Sequence, residues 1–185
     1  MALEPVGTWK STLAALPPVA DSSWATAFAS WYAARILPIE PDSSVFVAVG
    51  FLFTFNAAIF QAQLLTLAPT TDPADGALSF ANAWEASLLA SVALVAPGSA
   101  LLPPTPPTIF SVVTTTIIDP TSIAAGKAKI LELASAPPVA DANNSQFPIK
   151  FREATALLSI TVSGLNSIPL PGSPTPLVAP LVPLN

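Results

Sequence analysis

Eleven acidic side chains are the most numerous groups in this chain capable of acid–base chemistry; six basic residues oppose them, and there is no histidine and no cysteine. A Ser–His–Asp relay therefore cannot be built. Ser–Lys pairs have no recognisable spacing that would set one group to activate the other. Glycoside cleavage needs two carboxylates held at a set separation. Nothing in the sequence places such a pair, and a sugar cleft would be richer in aromatic and polar residues. Asp72 and Asp75, in TDPADG, look like a fragment of a calcium loop but lack the alternating ligands and the closing glutamate. A turn and a helix cap account for them better. Glycine loops that cradle phosphates are absent. Without Cys or His, zinc and iron–sulfur sites lose their usual ligands and disulfides are excluded. Asn143-Asn144-Ser145 fits a glycosylation triplet, a pattern common by chance. No catalytic, cofactor-binding or metal-ligating residue is assigned, and the chain reads as non-enzymatic.

Composition points the same way. Charged residues make up 9% of the chain, against about 25% in ordinary soluble domains. Hydrophobic residues are 52% and the mean hydropathy is +0.64. So few charges cannot cover a free monomer, which leaves lipid or other subunits to cover it. The net charge of −5 argues against nucleic acid, which requires a basic face. The bases Lys127/Lys129 and Lys150/Arg152 are too sparse for a phosphate track. At 185 residues the chain suits one domain with arms. Its start, MALEPVGTWK, lacks the basic region and apolar stretch of a signal peptide.

These observations call for elements able to bury apolar surface. The run Pro17-Pro18-Val19-Ala20-Asp21 recurs as Pro137-Pro138-Val139-Ala140-Asp141. In each copy a helix should stop at the proline pair, and the aspartate should accept N–H bonds at the start of the next. The unit reads as helix, corner, helix, used twice, by duplication or by chance in an Ala- and Pro-rich chain. Trp24, Phe28, Trp31, Tyr32 and Ile36 then line one helix face, either as core or as a docking stripe with aromatic anchors. Ser43 to Thr71 carries no charge. It reads as a buried helix, as a strand over Val45–Phe55 leading into a helix, or as a membrane span over Val45–Ala68. Asn56, Gln61, Gln63 and the flanking Asp42 and Asp72 weaken the membrane reading.

A further helix is expected after TDPADG, capped by Asp75, with Leu78, Ala81, Glu85, Leu88, Val92 and Val95 on one stripe and Trp84 beside it. Residues 97–108 read as an extended linker, and the β-branched run 109–118 as a strand. Asp119-Pro120 should open a helix with Ile123, Lys127, Ile130 and Ala134 on one side and Gly126 as a weak spot. Between Phe147 and Leu165 a helix followed by a short extended exit is favoured over a final strand. The fold class expected is mainly α, helical hairpins around one core, with a minor β element and extended Pro-rich arms. Residues 1–165 form the compact domain.

Residues 166–185, NSIPLPGSPTPLVAPLVPLN, hold six prolines and no charge. Proline fixes φ and removes a donor, so this arm should run extended and cannot be a helix or an inner strand. Alone it cannot bury its own apolar side chains, and a neighbouring subunit is the expected clamp. The segments FANAWEASLLASVALV (80–95) and FREATALLSITVSGLNSIPLP (151–171) resemble virion structural proteins of tailed bacteriophages, particularly small Ala/Thr/Pro-rich proteins of tail and baseplate modules. That resemblance implies a non-enzymatic part of a virion, repeated in a symmetric homo-oligomer and bound to other virion proteins. The expected subunit-interface residues are Leu170, Pro171, Leu177, Pro180, Leu181 and Leu184 of the arm, with Trp24 and Trp31. No cofactor, metal or nucleic acid is expected. A capsid-cementing protein and a small membrane protein spanning at 45–68 are the alternatives.

Overall fold

The computed structural model describes residues 3–19, 21–36, 52–67, 71–94, 100–101, 108–135, 146–166, 176–178 and 182–183. Helix dominates these residues, as composition and periodicity indicate. The helices are α1 (Val6–Ala14), α2 (Trp24–Ala33), α3 (Ala57–Leu65), α4 (Pro73–Leu89), α5 (Pro120–Leu131) and α6 (Phe147–Ala156), with a 3-10 turn at Glu132–Ser135 after α5. Their starts follow from local chemistry. Asp72 and Asp119 each accept the N–H two residues on, and each precedes a proline that needs no partner in the first turn. Asn56 caps α3 by accepting from Ile59 N–H. It also donates to the Ala90 carbonyl at 3.3 Å, tying the start of α3 to the end of α4.

The first proline corner does what its sequence suggests. α1 ends before Pro17, and Asp21 accepts both the N–H and the hydroxyl of Ser23, at 2.8 and 2.7 Å, one residue before α2. Those bonds, the backbone N–H first, hold the Asp21 carboxyl below its usual range. The second copy, residues 137–141, lies outside the described residues.

Strand is more extensive than the single run 109–118. β1 (Leu52–Thr54) pairs antiparallel with β2 (Val92–Leu94). A five-stranded sheet holds β3 (Ala100–Leu101), β4 (Thr108–Ile118), β5 (Ser159–Asn166), β6 (Pro176–Val178) and β7 (Val182–Pro183). β4 and β5 form its long antiparallel ladder, and the register shifts twice along β4, around Ser111 and Thr114. Such irregularities increase local twist. β3 pairs with the start of β4, and β2 also runs close beside β4.

Helices α5 and α6 are thus a helical hairpin inserted between two paired strands. The junction is locked by two hydrogen bonds: Asp119 N–H donates to the Ser159 carbonyl at 2.8 Å, and Ser159 N–H donates to the Ser122 side-chain Oγ at 3.1 Å. Ile118 and Leu158 are buried beside it.

The core lies among the helices. Phe151 is fully buried against Trp9, Phe28, Tyr32, Phe80, Trp84 and Phe147, mostly edge-on or tilted. Each such ring pair contributes about 0.5–1.5 kcal/mol beyond the area it buries. Gly126 on α5 is required by this packing. A Cβ there would stand 2.8 Å from the Ala154 carbonyl oxygen and collide with the Trp84 ring.

Several sequence expectations are corrected. The cap of α4 is Asp72, not Asp75, because the aspartate preceding a proline is already placed to hold the first turn. Its buried face runs through Ala77, Phe80, Ala81, Trp84 and Leu88. Leu78 is 45% exposed because the small Ala77 faces the core, where the rings of Phe80 and Trp84 take the space. Val92 belongs to β2, where the chain has left the helix after Leu89, and Val95 is outside the described residues. On α5, Lys127 turns to the surface to meet Glu85, while Gly126 occupies the buried side; Ala134 lies beyond the helix, in the 3-10 turn. The linker 97–108 includes β3, since Ala100 and Leu101 find ladder partners in Ile109 and Thr108. After α6 the exit is an eight-residue strand at the centre of the sheet, stabilised by partners distant in sequence.

A single helix over 45–68 does not form. β1 gives way at Phe55-Asn56 to the nine-residue α3, since the Asn56 cap starts a new element. No helix among the described residues is long and apolar enough to cross a membrane.

Candidate interaction surface

The aromatic stripe of α2 faces inward. Trp31 is 7% exposed. Its ring packs on Phe28, and its Nε1–H donates to Thr12 Oγ1 at 3.0 Å. Trp31 is therefore engaged inside the subunit, and the core reading of the stripe is the one its burial fits. Trp24 is half-buried and stacks on Phe28, so it keeps one accessible side at the start of α2. Of the six arm residues expected to grip a neighbour, only Leu177 falls within the described residues. Leu170, Pro171, Pro180, Leu181 and Leu184 lie outside them.

Leu177 sits opposite Gly164 in β6, which pairs antiparallel with the C-terminal half of β5. β7 continues along the same edge, with Val182 opposite Ile160 and Pro183 opposite Ser159. The described parts of the arm run extended, as edge strands on the chain's own β5 rather than on the neighbouring subunit expected as their clamp. Both paired prolines fit this position. Leu165 pairs with Pro176 and Ser159 with Pro183. Proline has no N–H for a ladder, so at each the donor-less side faces away from β5. The amides of Leu177 and Val182, one residue inward from each, then face β5, because bonded and non-bonded pairs alternate along an antiparallel ladder. The sheet's outer edge is blunted at two points, a common protection against uncontrolled strand addition.

The β5 edge is a backbone surface, uncharged on both partners, and its described ladder positions are filled by β6 and β7. Sequence reasoning singled out the arm and missed this acceptor. The signal was the β-branched alternation of Ser159–Ser163, masked by its continuity with the helical pattern before it.

Several polar groups elsewhere are committed to structure, although the buried Trp9 Nε1–H has no hydrogen-bond partner among the described residues. Trp84 Nε1–H donates to the Tyr32 hydroxyl at 2.8 Å, and Tyr32 lies 3.1 Å from Thr155 Oγ1. Thr155 gives its own proton to the Phe151 carbonyl at 2.9 Å, so Tyr32 is the donor between them. Burial pushes the Tyr32 phenol well above its ordinary value, and it stays protonated within this relay. Five of the six bases are engaged within the chain. Lys127 meets Glu85 at 2.6 Å. Lys129 and Lys150 both reach Glu132, at 2.7 and 2.6 Å, and their hydrogen bonds bring its carboxyl down to about 2. Arg152 donates to the carbonyls of Leu3 and Glu4, while Arg35 lies over Trp31 with Nε 3.0 Å from Glu4, an ion pair without hydrogen-bond alignment. The two arginines pin the N-terminal segment to the helices.

Among the described residues no group of three or more acidic side chains gathers as a metal site would require. The chain matches no protein-family model, no curated protein and no solved structure.

Proposed function

We propose that this chain is a non-enzymatic structural component of a tailed-bacteriophage virion, of the tail, baseplate or neck. It binds further copies of itself and other virion proteins through apolar surface and the C-terminal arm. The observation that carries the reading is the scarcity of charge, 9% of the chain, beside the exposure of Leu65 and Leu89, 61% and 62%. In a particle such surface is covered by neighbours. Many of the described polar side chains are engaged in caps, clamps and the buried Tyr32 relay.

A capsid-cementing role is the second reading, favoured by the five-stranded sheet. Immunogold labelling of particles separates the two by position, tail and neck against capsid lattice. The test of both is co-sedimentation of the full chain and of a chain lacking residues 166–185 with purified particles. Circular dichroism checks that the shortened chain keeps its helices. The expected result is that the full chain enters particles and the shortened chain does not. Particles of normal composition from the shortened chain would contradict the role of the arm. Recovery of both chains only in the membrane fraction would overturn the reading altogether.

A further inference from the structure

We propose that α1 is a latched strap, a helix that opens from the aromatic core as a unit while the other helices stay packed, with Arg152 and Arg35 as its latch. The inference goes beyond the assembly reading and does not rest on it. By itself α1 has little to keep it helical. It has nine residues, no side-chain cap at its start, no acid in its first turn and no base in its last. Helices shorter than about 12 residues are marginal in water, so α1 depends on what it packs against. One of its residues is buried, Trp9, whose ring meets Trp31, Tyr32 and Phe151 edge-on. Leu13 is only partly buried. By contrast α4 buries seven residues and is capped by Asp72.

The seat of Trp9 is also imperfect. Trp31 and Trp84 each donate their Nε1–H to a hydroxyl, whereas the buried Nε1–H of Trp9 meets no acceptor among the described residues. A buried donor left unpaired loses its hydration without return, and opening α1 gives that hydration back. Closure is reinforced ahead of the helix. Arg152 of α6 donates to the carbonyls of Leu3 and Glu4, and Arg35, just beyond α2, holds its Nε 3.0 Å from the Glu4 carboxylate. Both arginines thus grip the two residues before Pro5. Within the helix, Thr12 Oγ1 accepts from Trp31 Nε1–H at 3.0 Å. At the other end Pro17-Pro18 separates α1 from α2. Proline cannot carry a helix across that junction, so α1 can leave without unwinding α2. Its departure uncovers Trp31, Tyr32 and Phe151 on the side that Trp9 covers.

Native-state hydrogen exchange on the full chain, over a series of low denaturant concentrations, tests the strap. The amide of Leu13 reports on α1 and that of Leu88 on α4. Leu13 should exchange through an opening about tenfold or more as frequent as the one that exposes Leu88. That opening should also depend less on denaturant, because it exposes less surface. Arg152→Ala should speed exchange at Leu13 by about tenfold, the scale of a hydrogen bond from a charged donor, and leave Leu88 unchanged. Glu4→Gln removes the charge that faces Arg35 but keeps both carbonyls. It should speed Leu13 by about twofold, and added salt should remove that difference. Leu13 and Leu88 exchanging at one level with one denaturant dependence would overturn the strap. Arg152→Ala speeding both amides alike, or neither, would overturn the latch. Should that variant fail to fold, Arg152→Lys carries the same comparison, since it keeps the charge and loses the paired donation to the two carbonyls.

Discussion

From Trp9 to Phe151 the helical body is specified ring by ring, whereas from Thr108 to Pro183 the sheet is specified by backbone register and the placement of proline. In the body each aromatic meets several others at set angles, and Gly126 is small because Trp84 and Ala154 leave no room. In the sheet the described links between β5 and the arm are ladder pairs made by backbone, which accept many sequences. The difference teaches a division of labour. The body is fixed by the shapes of its rings, while the described parts of the arm are joined by backbone pairing.

Breaking the first term of that comparison should have the largest effect. Phe151→Ala removes the ring around which the helices pack, and a loss of about 3–5 kcal/mol is expected in chemical denaturation. A loss below about 1 kcal/mol would mean the core tolerates collapse around the gap, so that it is not specified ring by ring. Gly126→Ala forces a methyl group against Trp84 and the Ala154 carbonyl, and about 3 kcal/mol is expected from overpacking. A neutral result in the same assay would show that α5 can slide away from α4. Tyr32→Phe leaves the buried Trp84 Nε1–H without its acceptor while the ring stays, and costs about 1–2 kcal/mol. Removal of Thr155's hydroxyl in the same background should then cost less than it does alone, which a double-mutant cycle reads.

The smallest effect belongs to the surface. The Glu132 carboxyl has its pKa lowered to about 2 in the folded chain, by hydrogen bonds from Lys129 and then Lys150. Its contribution is therefore fully present above the unfolded value near 4.5 and is lost as pH falls towards 2. Thermal melts should show Glu132→Gln slightly less stable than the parent at pH 6 and equal to it near pH 2. Because these groups are exposed, added salt should shrink the difference at pH 6. A gap that persists at pH 2 would assign the effect to packing instead of charge.

Local chemistry was legible in the sequence and distant pairing was not. The Asp119-Pro120 cap, the strand through 109–118, the first proline corner and the inward stripe of α2 each follow from a few adjacent residues. Leu78 misled because a leucine at a plausible helical position was weighed above the alanine beside it, and only the rings of Phe80 and Trp84 decide which faces in. Gly126 looked like a flaw in α5 because its need comes from Trp84, a residue on another helix. Ser159–Asn166 continued an apolar pattern that served helix and strand alike, and its partners lie beyond a helical hairpin on one side and a proline-rich connection on the other. The arm's extension was readable from proline itself. Its acceptor required the sheet.

Hydrogen exchange followed by NMR on the full chain tests the division between body and arm most directly. The amides of Leu177 and Val182 face β5 as ladder donors, while that of Phe151 lies within α6. Protection of the two arm amides should fall well short of that of Phe151, which exchanges at the level of global unfolding. Arm amides protected as strongly as that of Phe151 would show that β6 and β7 are fixed together with the body, and would contradict the account.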